Sequence, residues 1–325
     1  MFDPEKFDPE KWGDALKHLE DVPYDVSRTR LYTGAELFDA FDPADPESMT
    51  RCLDARVAQH VQETGALYPE PMEMYARTLH DHQIRKAMYE FLGWFEQNRV
   101  VGVMGGHDLL RTDVAYRRIV EVARRLTEKG YVMISGGGPG AMEATHLGAW
   151  LAGRSIAEVD EALAILAEAP SLHDQAWLAT AFAVMERFPR IEGYMSLAVP
   201  TWFYAEEPPT PFATHIAKFF ENSIRENVLL SEAYGGIIFM PGGAGTLQEV
   251  FQEAVQNHYL TQGFASPMVF VDRAFWSDEV QVFPLLKNMI QTGRYRHMAI
   301  ALAEEPDEII AALEGCAAEL RRCGG

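Results

Sequence analysis

Three times along this chain a short apolar run ends in a glycine-rich corner and passes into a helical pattern. The segments are "RVVGVMGG" followed by "TDVAYRRIVEVARRLTEKG", then "YVMISGGGPGAMEATHLGAWLAG", and later "GGIIFMPGGAGTLQEVFQEAV". Apolar runs bounded by glycine read as buried strands, and the 3.6-residue periodicity that follows reads as helix. Two strands joined by one helix form a βαβ unit, whose strands are parallel. "GYMSLAVPTWF" and "PMVFVD" read as further strands. The expected fold is α/β: a Rossmann-like, doubly wound parallel sheet with helices on both faces and a ligand crevice at the carboxyl ends of its strands.

Residues 1–95 carry apolar residues at helical spacing broken by prolines, which predicts a helical N-terminal extension packed on a main domain over 96–325. A helical insertion is expected at about 154–190, and "AEEPPTPF" reads as a rigid proline-rich loop. In "ATHIAKFFENSIRENVLLSEA" the spacing of Ile216, Phe219, Phe220, Ile224 and Val228 predicts one long helix, and the chain after "PMVFVD" reads as helical.

Several function classes are disfavoured. No apolar run approaches the roughly 18 residues of a membrane span, and a formal charge of −20 repels nucleic-acid polymers and anionic membranes. A nest of backbone N–H groups still holds one small phosphate in such a field. The acidic start "MFDPEKFDPEKWGDALKHLEDVP" lacks the features of a leader, so a cytoplasmic location is expected. The cysteines, Cys52, Cys316 and Cys323, lack metal spacing, and His80 and His82 stand on different faces of a helix, so no metal is expected.

The corners "SGGGPGAME" and "MPGGAGTLQE" each place a helix N-terminus at a strand end, where free N–H groups hold an anion. Candidate ligand residues are Gly137, Gly138, Gly140 and Met142 in the first corner, and Pro241, Gly242, Gly243, Gly245 and the hydroxyl of Thr246 in the second. The first also fits G-x-G-x-x-A through Gly136, Gly138 and Ala141, but the acid expected about 20 residues on falls in a helical pattern, at Glu158 and Asp160. No G-x-x-x-x-G-K-[ST] loop occurs. Glu249 is expected in the first turn of the helix opened by Gly245 and Thr246, and Glu253 follows on the same face with a solvated or structural role. Arg225, between Glu221 and Glu226, reads by itself as a surface ion-pair partner.

"GGGPGAMEA" with "PGGAGTLQE", preceded by a helix bearing an arginine, resembles the LOG family of cytokinin riboside 5′-monophosphate phosphoribohydrolases, once widely labelled lysine decarboxylases. The resemblance spans about residues 99–275 and is sharpest in PGGxGTxxE, Pro241 to Glu249. The extension and the insertion make this chain similar to a longer bacterial branch of nucleotide 5′-monophosphate nucleosidases. The resemblance implies cleavage of a nucleoside 5′-monophosphate into base and ribose 5-phosphate without a cofactor, Glu249 and Arg225 as catalytic residues, and a homodimer or higher homo-oligomer. It also brings Gly105, Gly106 and His107 of "MGGHD" to the pocket, where the family has a Gly-Ser-Ser type loop. Glu226 stands where the family usually has lysine after its arginine.

The chemistry joins the two features of the second corner. Breaking the bond from C1′ to the base builds positive charge on the ribose, which an ionised carboxylate stabilises while it activates water. The bare backbone fixes the remote phosphate and so positions that bond. A noncatalytic nucleotide or molybdenum-cofactor carrier is the competing reading, since such carriers resemble the same fold. Pyridoxal phosphate chemistry is disfavoured because neither corner contains a lysine and Lys218 falls in a helical pattern.

Overall fold

In the computed structural model, which describes residues 19, 21–204 and 207–323, the apolar runs pair into one seven-stranded sheet. Its strands are β1 Val100–Met104, β2 Val132–Ser135, β3 Ser196–Ala198, β4 His215–Ile216, β5 Gly236–Phe239, β6 Met268–Val271 and β7 Ile300–Ala303. The order is β4-β3-β2-β1-β5-β6-β7, and every neighbouring pair is parallel. Connections run one way from β1 to β4 and the other way from β5 to β7, so the topological switch lies between β1 and β5, where Val103 pairs with Ile238. Such a switch opens a crevice beyond the carboxyl ends of the strands.

The α-helices of ten or more described residues are α1 Leu53–Thr64, α2 Pro71–Leu92, α3 Val114–Glu128, α4 Ala141–Trp150, α5 Ile156–Leu166, α6 Trp177–Arg187, α7 Asn222–Glu232, α8 Ala244–Tyr259, α9 Val282–Gln291 and α10 Pro306–Cys323. Strand residues alternate between two cores. Val101, Val103, Ile238 and Val269 pack with residues of α3, α4, α5, α6 and α10. Val100, Met104, Ile237, Phe239 and Phe270 pack with residues of α7, α8 and the N-terminal helices α1 and α2. Residues of the extension thus share a core with the sheet. No described helix is long and apolar enough to cross a membrane.

Two expectations are corrected. The long helix through Ile216 is instead strand β4, a bridge between Thr201 and Phe219, and then α7 from Asn222. Spacing at 216, 219, 220 and 224 mimics a helix because this edge is buried between β3 and the extension, whose Tyr32 pairs with Ile216. Lys218 is therefore not helical; it is fully buried with its ammonium on Asp54 of α1, which also accepts from Trp202 Nε1 at 2.9 Å. The C-terminal region likewise contains the half-buried strand β7. Except for residues 19 and 21–23, the N-terminal stretch read for the absence of a leader lies outside the described residues, as do Ala205 and Glu206 of the proline-rich loop.

The insertion at α5 and α6 is tied to the first corner by a buried ion pair. Arg111 donates to both oxygens of Glu143, at 2.8 and 2.6 Å, and both side chains are 1% exposed. Glu143 lies in the first turn of α4 and also accepts from Tyr116 at 2.9 Å. Arg111 Nη1 reaches the carbonyls of Ala169 and Trp177 and the hydroxyl of Thr180. Removing one partner strands a buried charge. Arg111→Met is expected to cost about 3–5 kcal/mol in denaturant unfolding, and Arg111→Met with Glu143→Met together less than Arg111→Met alone; a larger loss in the double variant contradicts the assignment.

Candidate functional site at the sheet switch point

The loops after β1, β2 and β5 meet over the switch. Gly106 N donates to Pro241 O at 2.8 Å, and Ala141 N donates to Gly106 O at 2.8 Å, which stitches the three loops together. Gly140, the N-cap of α4, has φ 68° and ψ −131°, and a Cβ there would stand 2.2 Å from Gly106 O and 2.7 Å from His107 O. That conformation and that spacing both require glycine. A Cβ on Gly105 would meet Met240 O at 2.5 Å, so the ends of β1 and β5 touch through backbone.

Buried polar groups hold the first corner. His146 of α4 bridges Ser135 Oγ at 2.8 Å and Ser196 Oγ at 3.0 Å, and burial pushes its pKa down to about 3, so it is neutral. Gly137 N donates to Ser135 Oγ, and Gly137 O accepts from Thr210 N at 2.7 Å. Met142 lies against Gly136 and Gly138, its Sδ and Cε within 2.9 Å of where their Cβ atoms would be.

The second corner is open. Gly243 is the N-cap of α8, with no side-chain cap, and a Cβ on Gly243 or Gly245 would meet nothing within 4 Å. Thr246 is buried and stands against Gly242, where a Cβ would be 2.2 Å from its Oγ1. Two helix N-termini without side-chain caps, α4 and α8, therefore begin at neighbouring loops, and such termini favour an anion.

Between the corners lies Arg225. Its guanidinium carbon and Nη1 are 3.8 Å from the Cβ position of Gly136. Among the described residues it forms no ion pair within 4 Å, contrary to the surface pairing expected with Glu221 or Glu226, and its Nε is buried without a partner. Glu249 feels its charge: burial pushes the Glu249 carboxyl up to about 7, Arg225 pulls it down and Glu226 pushes it up. Glu226 accepts from Asn222 at 2.7 Å and from Gln248 at 3.4 Å.

Glu249 is the sixth residue of α8, in its second turn rather than its first, because the helix starts at Ala244. Glu253 is not solvated. It is 2% exposed, accepts from Ser266 Oγ, keeps Oε2 buried without a partner among the described residues, and is raised by burial to about 7. His107 is half exposed and pairs with its neighbour Asp108 at 3.1 Å; its carbonyl, rather than its ring, touches the corner. Glu207 was not singled out in the sequence. Its Oε2 lies 3.5 Å from the Cβ position of Gly138, and its only sequence signal is the proline-rich loop. His80 is buried and His82 exposed, as their spacing predicts, and no metal-binding cluster occurs among the described residues. Cavities of about 550 Å³ beside Trp150 and Phe182, and about 450 Å³ beside Tyr89 and Tyr234, contain none of the candidate residues.

A carboxyl raised on folding binds its proton more tightly in the native state. The resulting stabilisation is complete below the unfolded value near 4.5 and is lost as pH rises through about 7. Glu249→Gln does not titrate, so its melting temperature relative to the unaltered protein is expected to be higher at pH 8 than at pH 4. An equal difference at both pH values contradicts a raised Glu249.

Comparisons with known proteins bear on this site. A search of curated proteins found no match. Among solved structures, the X-ray structure of the structural-genomics target TM1055 is similar at 19% identity over 67% of this chain and 99% of that one, with a TM-score of 0.42. The molybdenum cofactor binding protein from the phototrophic bacterium Rippkaea orientalis is similar at 13% identity over 66% and 95%, with a TM-score of 0.39. Residues 181–313 match the family described as "Possible lysine decarboxylase", a span that contains Arg225, the second corner and Glu249. Over that span the chain is similar to the possible lysine decarboxylase family, the LOG family that its motifs resemble.

Proposed function

We propose that the protein hydrolyses the N-glycosidic bond of a nucleoside 5′-monophosphate, releasing the free base and ribose 5-phosphate. The observation that carries this reading is the position of Arg225, beside Gly136 of one corner and in the electrostatic field of Glu249 on the helix that starts at the other. A phosphate at the uncapped start of α8 has Glu249 further along the same helix, as its sixth residue. Arg225 supplies the cation that balances the phosphate in a protein of formal charge −20.

In this reading the backbone of 242–246 holds the 5′-phosphate with the hydroxyl of Thr246, and Met142 and the first corner line the nucleoside side. As the bond to the base breaks, ionised Glu249 faces the positive C1′ and takes a proton from the attacking water. That water oxygen becomes the 1-hydroxyl of ribose 5-phosphate, and the base leaves with a proton. The reading includes a cytoplasmic location, the division into an extension over 1–95 and a catalytic domain over 96–325, and a homodimer or higher homo-oligomer; a sedimenting monomer contradicts the last of these.

The test is a panel of nucleoside 5′-monophosphates and their unphosphorylated nucleosides, with base and ribose 5-phosphate measured by chromatography. Base release from monophosphates alone is expected, and kcat/KM rises with pH through about 7 as Glu249 ionises. Glu249→Gln is expected to lose on the order of 10³-fold in rate with binding retained. Gly243→Val folds, because its Cβ meets open space, yet loses nucleotide binding. Binding without turnover in the unaltered protein supports the carrier instead.

A further inference from the structure

Helix α7 carries Arg225 as its fourth residue, but its own sequence does not cap it, since Glu221 at the N-cap makes no side-chain cap hydrogen bond. The acceptor comes from the N-terminal extension. Asp81 of α2 accepts from Phe220 N through both oxygens, at 3.0 and 3.1 Å, and from Glu221 N through Oδ2 at 2.9 Å. A carboxylate at a helix start satisfies orphan donors and complements the helix dipole. Asp81 is 3% exposed, so these bonds form away from competing water.

Asp81 is itself oriented. His80 Nδ1 donates to its Oδ1 at 3.1 Å, which leaves Nε2 to accept from the hydroxyl of Tyr32 at 2.9 Å. Tyr32 pairs through its backbone with Ile216 of β4. The ring of Phe220 is enclosed by Tyr24, His80 and Trp202 at centroid separations of 4.6, 5.0 and 4.8 Å. The start of α7 is therefore gripped by the extension on both its polar and its apolar sides.

We propose that Asp81 is a positioning residue for Arg225: by capping α7 from the extension, it sets where the guanidinium stands between the two glycine corners. This rests on the nucleosidase reading for its kinetic consequence, but not for its geometry. Displacing a catalytic group by about 1 Å costs up to about 100-fold in rate, and Arg225 lies one turn from the cap. The extension is then part of the catalytic apparatus.

The test uses the full chain carrying Asp81→Asn, which keeps the shape but leaves one acceptor for two N–H groups. The control is Val61→Ala, a buried truncation in α1 of the same extension. Asp81→Asn is expected to lower kcat about 10- to 100-fold, with KM changed less, while Val61→Ala leaves kcat within about 2-fold. Glu249 faces Arg225 and Glu226, so retreat of Arg225 also moves the Glu249 titration to higher pH. That titration, followed by carboxyl-carbon NMR, needs no turnover. If the unaltered protein releases no base, the nucleosidase reading fails and the titration alone decides the role of Asp81. An unchanged kcat and titration in folded Asp81→Asn overturns the proposal, as does an equal loss of kcat in Val61→Ala. Should Asp81→Asn not fold, Tyr32→Phe removes only the hydroxyl on His80; a fall of about 3-fold in kcat, or the same titration shift, supports the proposal, and no change in either overturns it.

Discussion

No side chain separates the loops that follow β1, β2 and β5, and the rest of the site depends on that contact. The carbonyl of Gly106 occupies the space that a Cβ on Gly140 would fill, and the carbonyl of Met240 does the same against Gly105. Backbone lies against backbone, so two helices start at neighbouring loops with no side-chain cap on either, the first N–H of α4, on Ala141, being taken by the Gly106 carbonyl. In the proposed function a phosphate there is held by fixed dipoles rather than by lysines. This reconciles an anion site with a chain of net charge −20: the attraction is local while the overall field is repulsive.

The same packing sets the electrostatics of the two candidate catalytic groups. Glu249 is raised because it is taken out of water, and Arg225 opposes that shift without closing into an ion pair. A closed pair would tie up both groups, whereas in the proposed reaction an open one leaves the guanidinium for phosphate or ribose oxygens and the carboxylate for C1′. The groups reach this arrangement from α7 and α8, which flank β5 in sequence. One is anchored by the open glycine loop and the other by Asp81 of the extension.

Much of the fold was legible because the strands of a covered parallel sheet are continuous apolar runs, and "VVGVM", "VMIS", "GIIF" and "MVFV" each met that pattern. The edge strand was not. Ile216, Phe219 and Phe220 satisfy helical spacing, and what makes them extended is pairing with β3 and Tyr32, which no local pattern encodes. Strand β7, "IALA", is half-buried and weakly marked. At the site, the motif singled out Glu249 and Arg225 but misjudged the helix start, so Glu249 falls in the second turn of α8 rather than the first. Asp81, Glu207 and the burial of Glu253 arise from tertiary contacts. The bond from Glu221 to Asp81 spans 140 residues and has no signature at either end.

The most direct measurement is a crystal structure of Glu249→Gln bound to a nucleoside 5′-monophosphate that the unaltered protein turns over. The account predicts the phosphate on the backbone amides of 242–246, Arg225 against its oxygens or the ribose, and C1′ in contact with residue 249. A nucleotide bound elsewhere, or one whose phosphate is on the corner but whose C1′ is remote from residue 249, contradicts it.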